Sequence, residues 1–522
     1  MKPSGTDTKK HAVLTVLSMV AAMVLSKGLG MVRSMCMASA YGTGWQANAF
    51  SAASRIPLSF FDLLFSAAIL GCFIPVYNSF ADREDKDAAA RDADTFACIF
   101  LNFILLLTGL LAVLGMVFAR PIITLITPGL DAASAALAAS LLRILFPMIL
   151  FTGAAYTLVG ILQSKEHFFL PSMISAISNA GVILYFLFLN EPLGENGITG
   201  LAVAYLIAWA LQFLTLLIPL LRMRFPFRPV LDLRNPALKT ALRMTPPIMI
   251  GSWLAPIGML TGTHFAAQLS GEGAITVFEY AININNILTG ILTYGICNFT
   301  FPRLSRQNVT GERGAFSSTA RSGLLSALAI VLPVMAAVLV LSREGTALLY
   351  YRGEFTAEDT LRTAKTLLYL ALGMPAFCMT EILSRIMYAK MSTRVPMTAS
   401  LAGAAVNVLS TAIMVRRFGE TLDVGAIALG NTLGLWTCAA VLFCALIRTS
   451  PEVCSRTFFA SLAKLLFLTA VAFTILLLIR NLIGDAAVSA SFMRNLLICA
   501  ASFIPAAAVY LIGLRVLRIR FS

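Results

Sequence analysis

Lys27, Arg33, Arg55 and Asp62 are four ionisable residues set within apolar runs near the start of the chain. A charge at bilayer depth is expensive, so such residues face a cavity or a partner and mark sites of function. Lys27 and Arg33 are six residues apart, and a helix broken at Gly28 or Gly30 would bring them closer. Near a helix end, Arg33 can also snorkel toward the interface. Arg55 and Asp62 are seven apart, two turns along one face of a regular helix. Three cations around one hydrated cavity would hold an anion. Arginine offers paired donors to phosphate oxygens and stays charged when poorly hydrated. The chemistry these residues suit is recognition of a diphosphate headgroup, and a cationic drug is a poor fit.

The second half of the chain carries a different pattern. Glu279, Asn283 and Asn286 stand at i, i+4 and i+7, a polar stripe on one helical face. It either lines a cavity and binds sugar hydroxyls or forms interhelical hydrogen bonds. Arg362, Lys365, Glu381 and Arg385 fall in one apolar stretch, and the i, i+4 spacing of Glu381 and Arg385 reads as a structural ion pair. His264 reads as a hydrogen-bonded packing residue, and Arg143 with Pro147 as support for a kink. No catalytic residues, metal ligands or cofactor motifs are read. The three histidines are far apart, and the nine cysteines are scattered without a CxxC pair. A phosphate-binding glycine loop is also missing, so ATP hydrolysis in this chain is not the energy source.

The elements that must position these residues are membrane helices. The 522 residues are 58% hydrophobic and 12% charged, about half the charged share of a soluble domain, and the mean hydropathy is +0.84. Apolar runs near 20 residues recur from end to end, each able to cross about 30 Å of hydrocarbon as a helix. The pattern predicts an all-α polytopic membrane protein of about fourteen spans. The first six are 12–39, 46–79, 93–118, 134–163, 170–190 and 197–221. Six more follow at 240–268, 273–300, 317–341, 360–389, 396–415 and 423–447, and the last two are 457–479 and 494–516. Lys27 and Arg33 interrupt the first apolar run, which argues for a membrane helix rather than a cleaved signal. The net charge of +14 is read as the positive-inside bias of cytoplasmic loops, such as the one holding Arg222, Arg224, Arg228, Arg234 and Lys239, rather than as nucleic-acid binding. That bias places both termini in the cytoplasm. Phe73-Ile74-Pro75 and Phe301-Pro302 recur at nearly the same offset as Pro171 and Pro396. This points to parallel six-helix repeats over 1–222 and 223–448, of the kind built into alternating-access transporters, with two additional helices in 449–522.

At this point the residues resemble a known family. Arg33-Ser34, Tyr41-Gly42-Thr43-Gly44, Asn48-Ala49-Phe50, Arg55-Ile56-Pro57 and Phe73-Ile74-Pro75 are similar, without a gap, to the N-terminal signature of the MurJ (MviN) lipid II flippases, within the larger flippase and multidrug-exporter superfamily. Leu142 to Pro147, Tyr351 to Asp359 and Arg385 to Ala389 with Thr393 to Pro396 resemble the family's fourth helix, outer loop and tenth helix. The resemblance covers nearly the whole chain. There are departures. Asn48 stands at the family's aspartate, Phe61 and Asp62 at its paired arginines, Asn283 at an arginine of helix eight, and Lys27 at an arginine. The family's glutamate before helix two ends has no match in Ser66 to Ala68.

The resemblance implies a flippase moving the undecaprenyl-diphosphate-linked peptidoglycan precursor from inner to outer leaflet of the bacterial cytoplasmic membrane. Lys27, Arg33 and Arg55 are carried over as headgroup contacts, with Asn48, Asp62, Glu279 and Asn283 as further candidates. The partners expected are that lipid, the bilayer, and a coupling ion or the membrane potential. Residues such as Ala490 and Gly513 in the last two helices would form a groove for the lipid tail. The rival readings are a flippase for another polysaccharide-lipid precursor, a cation-coupled multidrug exporter, and a non-transporting membrane scaffold.

Overall fold

The computed structural model describes residues 5–80, 85–251, 254–483 and 491–517. Among these residues all regular structure is helical. In hydrocarbon every backbone N–H and C=O must be satisfied within its own segment, and a helix does this. The chain forms two compact units. Unit 1 is Met1–Met37 with Trp45–Leu260; unit 2 is Ala38–Gly44 with Thr261–Ser522.

Unit 1 takes its helices from α1 (Gly5–Tyr41), α2 (Trp45–Ser54), α3 (Phe61–Asn78), α4 (Lys86–Val117), α5 (Ala119–Ile126), α6 (Ala132–Leu145), α7 (Met148–Ser164), α8 (Phe169–Ser172), α9 (Ile174–Phe188), α10 (Asn190–Leu193), α11 (Gly197–Arg222), α12 (Pro236–Gly251) and the start of α13 (Leu254–Ala266). Its core is aromatic. The ring of Phe73 lies 5.4 Å from Phe96, 5.1 Å from Phe100 and 5.5 Å from Tyr77, joining α3 to α4. Lipid tails are as apolar as these rings, so close packing rather than escape from water holds such helices together.

Three sequence expectations change here. The first concerns α1, which runs unbroken through Gly28 and Gly30. Gly30 serves close packing: a Cβ there would sit 3.3 Å from Asn179 Nδ2 on α9, and Asn179 donates to the Ser26 carbonyl at 3.2 Å. That contact offsets the propensity cost of about 1 kcal/mol for a helical glycine. The second concerns the next expected helix, which is interrupted by a π-helical turn over Arg55–Phe60, closed by the Phe61 N–H on the Ile56 carbonyl. Pro57 explains it: proline donates no hydrogen bond and its ring crowds the carbonyl four residues back, and a wider turn relieves both. Third, the helix expected over 273–300 continues through Pro302 to Val309, whereas the second expected helix ends at Asn78, one residue short of its expected end. The break expected at Pro147 is present, between α6 and α7.

Unit 2 contains the rest of α13, then α14 (Ala274–Val309), α15 (Arg313–Tyr350), α16 (Ala357–Ala371), α17 (Met374–Ala389), α18 (Arg394–Leu422), α19 (Gly425–Thr449), α20 (Arg456–Ile483) and α21 (Phe492–Val516). Helix α15 is kinked at Leu341, whose φ and ψ are −107° and 17°. Helices α18 and α19 are joined by polar contacts, Asn407 to Asn431 at 3.1 Å and Ser410 to the Gly430 carbonyl at 3.2 Å, the usual glue between membrane helices.

Ten helices among the described residues are long and apolar enough to cross a membrane, or eleven when α16 and α17, bent by 43°, count as one span. The other expected spans fall on α1, on the shorter apolar helix α9, and on α12 with α13, which flank residues 252–253. Ala490 lies outside the described residues.

Candidate functional site

In unit 1 the expected cations differ in exposure, and Lys27 and Arg33 differ in helix face. Lys27 is exposed and Arg33 half-buried. On an unbroken helix their six-residue spacing turns them about 120° apart. Arg33 lies over the ring of Tyr205 on α11, 5.4 Å from its centroid. Tyr205 is itself stacked on Trp209 at 5.7 Å and touches Phe50 of α2 at 5.2 Å. This is an aromatic shelf built from α2 and α11. A guanidinium on a ring face is held electrostatically while its N–H donors stay available to a ligand.

Arg55 is buried, at 3% exposed, and it opens the π-helical turn. An i→i+5 turn takes up an extra residue, so Arg55 and Asp62 no longer share the face a regular helix would have given them. Asp62, half-buried, accepts a hydrogen bond from the Tyr156 hydroxyl of α7 at 3.1 Å. Asn48 is half-buried on α2. Sequence reasoning missed Tyr205, Trp209 and Tyr156. The signals were an aromatic pair at i, i+4 in the sixth predicted helix and a proline two residues after Arg55.

In unit 2, Glu279 and Asn283 are half-buried and Asn286 is exposed along one face of α14, while Asn285 is buried. The ion pair expected of Glu381 and Arg385 is present, at 3.9 Å. His264 hydrogen-bonds to Gln268 at 2.9 Å, as a packing residue does. Arg362 and Lys365 are structural ties at the start of α16. Arg362 pairs with Asp423 at 2.8 Å and donates to the Glu272 carbonyl at 2.6 Å; Lys365 donates to the Thr421 carbonyl at 2.7 Å.

The run Tyr351 to Asp359 acts as a clasp. The Glu354 N–H donates to the Ser39 carbonyl at 2.9 Å, and Thr43 hydrogen-bonds to Asp359. Tyr280, packed on Tyr350 and Phe355, donates to the Gly42 carbonyl at 3.2 Å. Thr356 and Asp359 form a reciprocal capping box at the start of α16. Residues 38–44 are thereby fixed to unit 2.

Long apolar helices carrying buried and half-buried charges, with polar side chains bridging helix to helix, define a multi-pass membrane protein of the transporter class. The fold agrees. A solved structure described as lipid II flippase MurJ in an inward closed conformation superposes with a TM-score of 0.77 at 20% identity, covering 97% of this chain and 100% of that one. An inward-facing multidrug resistance MATE family transporter of the MOP superfamily gives 0.68 at 18% identity, over 83% and 96%. The chain belongs to the MurJ family: the family model described as lipid II flippase MurJ matches residues 37–498. Among curated relatives, the probable lipid II flippase MurJ of Bdellovibrio bacteriovorus is 27% identical over 79% of this chain and 78% of its own length. The lipid II flippase MurJ of Burkholderia cenocepacia is 26% identical over 82% and 83%.

Proposed function

We propose that this chain flips the undecaprenyl-diphosphate-linked peptidoglycan precursor, lipid II, from the inner to the outer leaflet by alternating access. The observation that carries this reading is family membership over residues 37–498. The family is one of transporters rather than enzymes.

In this reading Arg33 and Arg55 attract the diphosphate. Arg33 presents its donors from the Tyr205 shelf, and Arg55 adds a fixed positive field from its buried position. Lys27, on another face of α1, meets the headgroup at a different stage. Asn48, Asp62, Glu279 and Asn283 offer hydrogen bonds to the polar remainder of the headgroup. The lipid tail has a candidate groove within unit 2, an apolar cavity of about 510 Å³ between α15, α20 and α21, lined by residues including Ala329, Pro333, Leu476, Phe503 and Tyr510. Gly513 has another role, since a Cβ there would lie 2.4 Å from Leu468 Cδ2; it lets α21 close on α20. Both termini lie in the cytoplasm of a bacterial inner membrane, and a coupling ion or the membrane potential drives the cycle. The division into repeats over 1–222 and 223–448, with 449–522 added, belongs to the same proposal.

The test is rescue. In a strain depleted of its own lipid II flippase, the wild-type chain restores growth. A chain that reaches the membrane at normal abundance and fails to restore growth is a flippase for another precursor, an exporter or a scaffold.

A further inference from the structure

The polar stripe on α14 continues further than its three side chains. Asn286 is exposed, and the position a Cβ would take at Gly290 has no neighbour within 4 Å. Glu279, Asn283, Asn286 and Gly290 follow i, i+4, i+7 and i+11, one line along the helix. Phe301, 22 residues beyond Glu279, falls within about 40° of the same line and about 33 Å along it. The guanidinium of Arg385 lies over the Phe301 ring, 5.8 Å from its centroid. Helix α17, which carries Arg385, is tied to α14 by the contact of Thr293 with Cys378, 2.7 Å apart. Arg385 therefore stands beside α14 beyond the stripe, past Thr293 and Cys297, which are buried on the same line.

Its pairing with Glu381 is loose. The contact is 3.9 Å, and the two side chains are 39% and 41% exposed. Glu381 is eight residues from the end of α17 at Ala389, about 12 Å along the helix axis. A glutamate side chain is too short to snorkel that distance. A half-buried carboxylate at such depth faces the protein interior or water, because hydrocarbon would not tolerate it. The Glu381–Arg385 face is thus turned away from hydrocarbon. An ion pair held only at 3.9 Å is a weak tie, so it opens readily for a better partner. A phosphate that accepts two parallel guanidinium hydrogen bonds is such a partner.

We propose that Arg385 is an anion-binding residue of unit 2 that takes the diphosphate of the lipid-linked substrate beside Phe301 of α14. Glu381 is the counter-ion that holds Arg385 between cargoes. This rests on the flippase reading and deepens it: Arg385 supplies positive charge to unit 2 from the helix beside α14.

The experiment uses the purified full-length protein in detergent, with undecaprenyl diphosphate and uncharged undecaprenol as probes. The wild type binds the diphosphate more tightly. Arg385→Gln weakens diphosphate binding about tenfold and leaves undecaprenol binding in place. The charge swap Glu381→Arg with Arg385→Glu rebuilds the ion pair, and its melting temperature returns toward wild type, but diphosphate binding stays weak. Diphosphate binding at wild-type strength by either Arg385→Gln or the swap overturns the proposal. A wild type that does not prefer the diphosphate overturns the flippase reading beneath it.

Discussion

The two units hold their membrane charges in different ways. In unit 1, Arg33 rests on the Tyr205 ring and Asp62 on the Tyr156 hydroxyl, while the ion pair of Lys165 with Asp94, at 3.0 Å, joins the end of α7 to the early turns of α4. In unit 2, charge meets countercharge: Arg362 with Asp423, Arg480 with Glu344 and Arg385 with Glu381. A cation over a ring keeps its full charge and most of its donors. A cation in a close ion pair is largely neutralised and adds rigidity instead. In the proposed function, unit 1 therefore offers Arg33 as standing positive charge to an anionic headgroup, whereas these three pairs of unit 2 serve as internal ties. The Glu381–Arg385 pair is the loosest of the three.

The difference can be broken at four places. The largest effect is expected at Arg33. Arg33→Ala abolishes growth rescue in flippase-depleted cells, while Arg33→Lys, which keeps the charge but loses the paired donors, retains a small part of it. Wild-type rescue by Arg33→Ala would remove unit 1 from headgroup binding. Next comes Pro57→Ala. It returns a backbone N–H to the Arg55–Phe60 turn, lets an α-helical turn form and swings Arg55 relative to Asp62. The melting temperature should rise, since a helix-interior proline costs up to about 3 kcal/mol, and transport should fall. A rise in both would show that the π turn has no part in positioning Arg55.

The third test concerns the paired charges of unit 2. The side chains of Arg480 and Glu344, 3.3 Å apart, are 19% and 14% exposed. Arg480→Met alone strands a carboxylate and should cost about 3–5 kcal/mol, whereas Arg480→Met with Glu344→Leu should recover most of that loss. Thermal unfolding in detergent measures both, and a double variant no more stable than the single one would contradict a purely structural pair. The smallest effect is at Asp131, outside the spans, which caps α6 by accepting from the Ala133 and Ser134 N–H groups at 3.1 and 3.0 Å. The Ser134 contacts hold its carboxyl below the usual carboxylate range. The capping contribution is accordingly present above the unfolded-state value and is lost as pH falls through the folded one. Asp131→Ala should cost about 1 kcal/mol near neutrality, and the gap from wild type should close in acid.

Much of this was legible in the sequence. Hydropathy and low charge gave the membrane class, and i, i+4 spacing gave the Glu381–Arg385 pair and the α14 stripe. Family motifs pointed to Arg33, Arg55 and the 351–359 loop. Other features lay beyond local pattern. Gly28 and Gly30 read as a break because helix propensity was weighed without Asn179, a neighbour nearly 150 residues away in sequence that packs against Gly30. The π turn needed the steric effect of Pro57 on a helix that hydropathy described as uniform. The Tyr205 shelf under Arg33 joins residues from three helices, and no local spacing encodes it. The 351–359 loop read as a motif without a role, because its partner is the remote segment 38–44.

The most direct test of the account is a leaflet-specific measurement of lipid II in cells that rely on this chain alone. With the wild type, newly made lipid II reaches the outer leaflet. With Arg33→Ala or Arg55→Ala present at equal abundance, it accumulates in the inner leaflet. Equal outer-leaflet lipid II in all three strains would contradict the claim that unit 1 cations carry the headgroup.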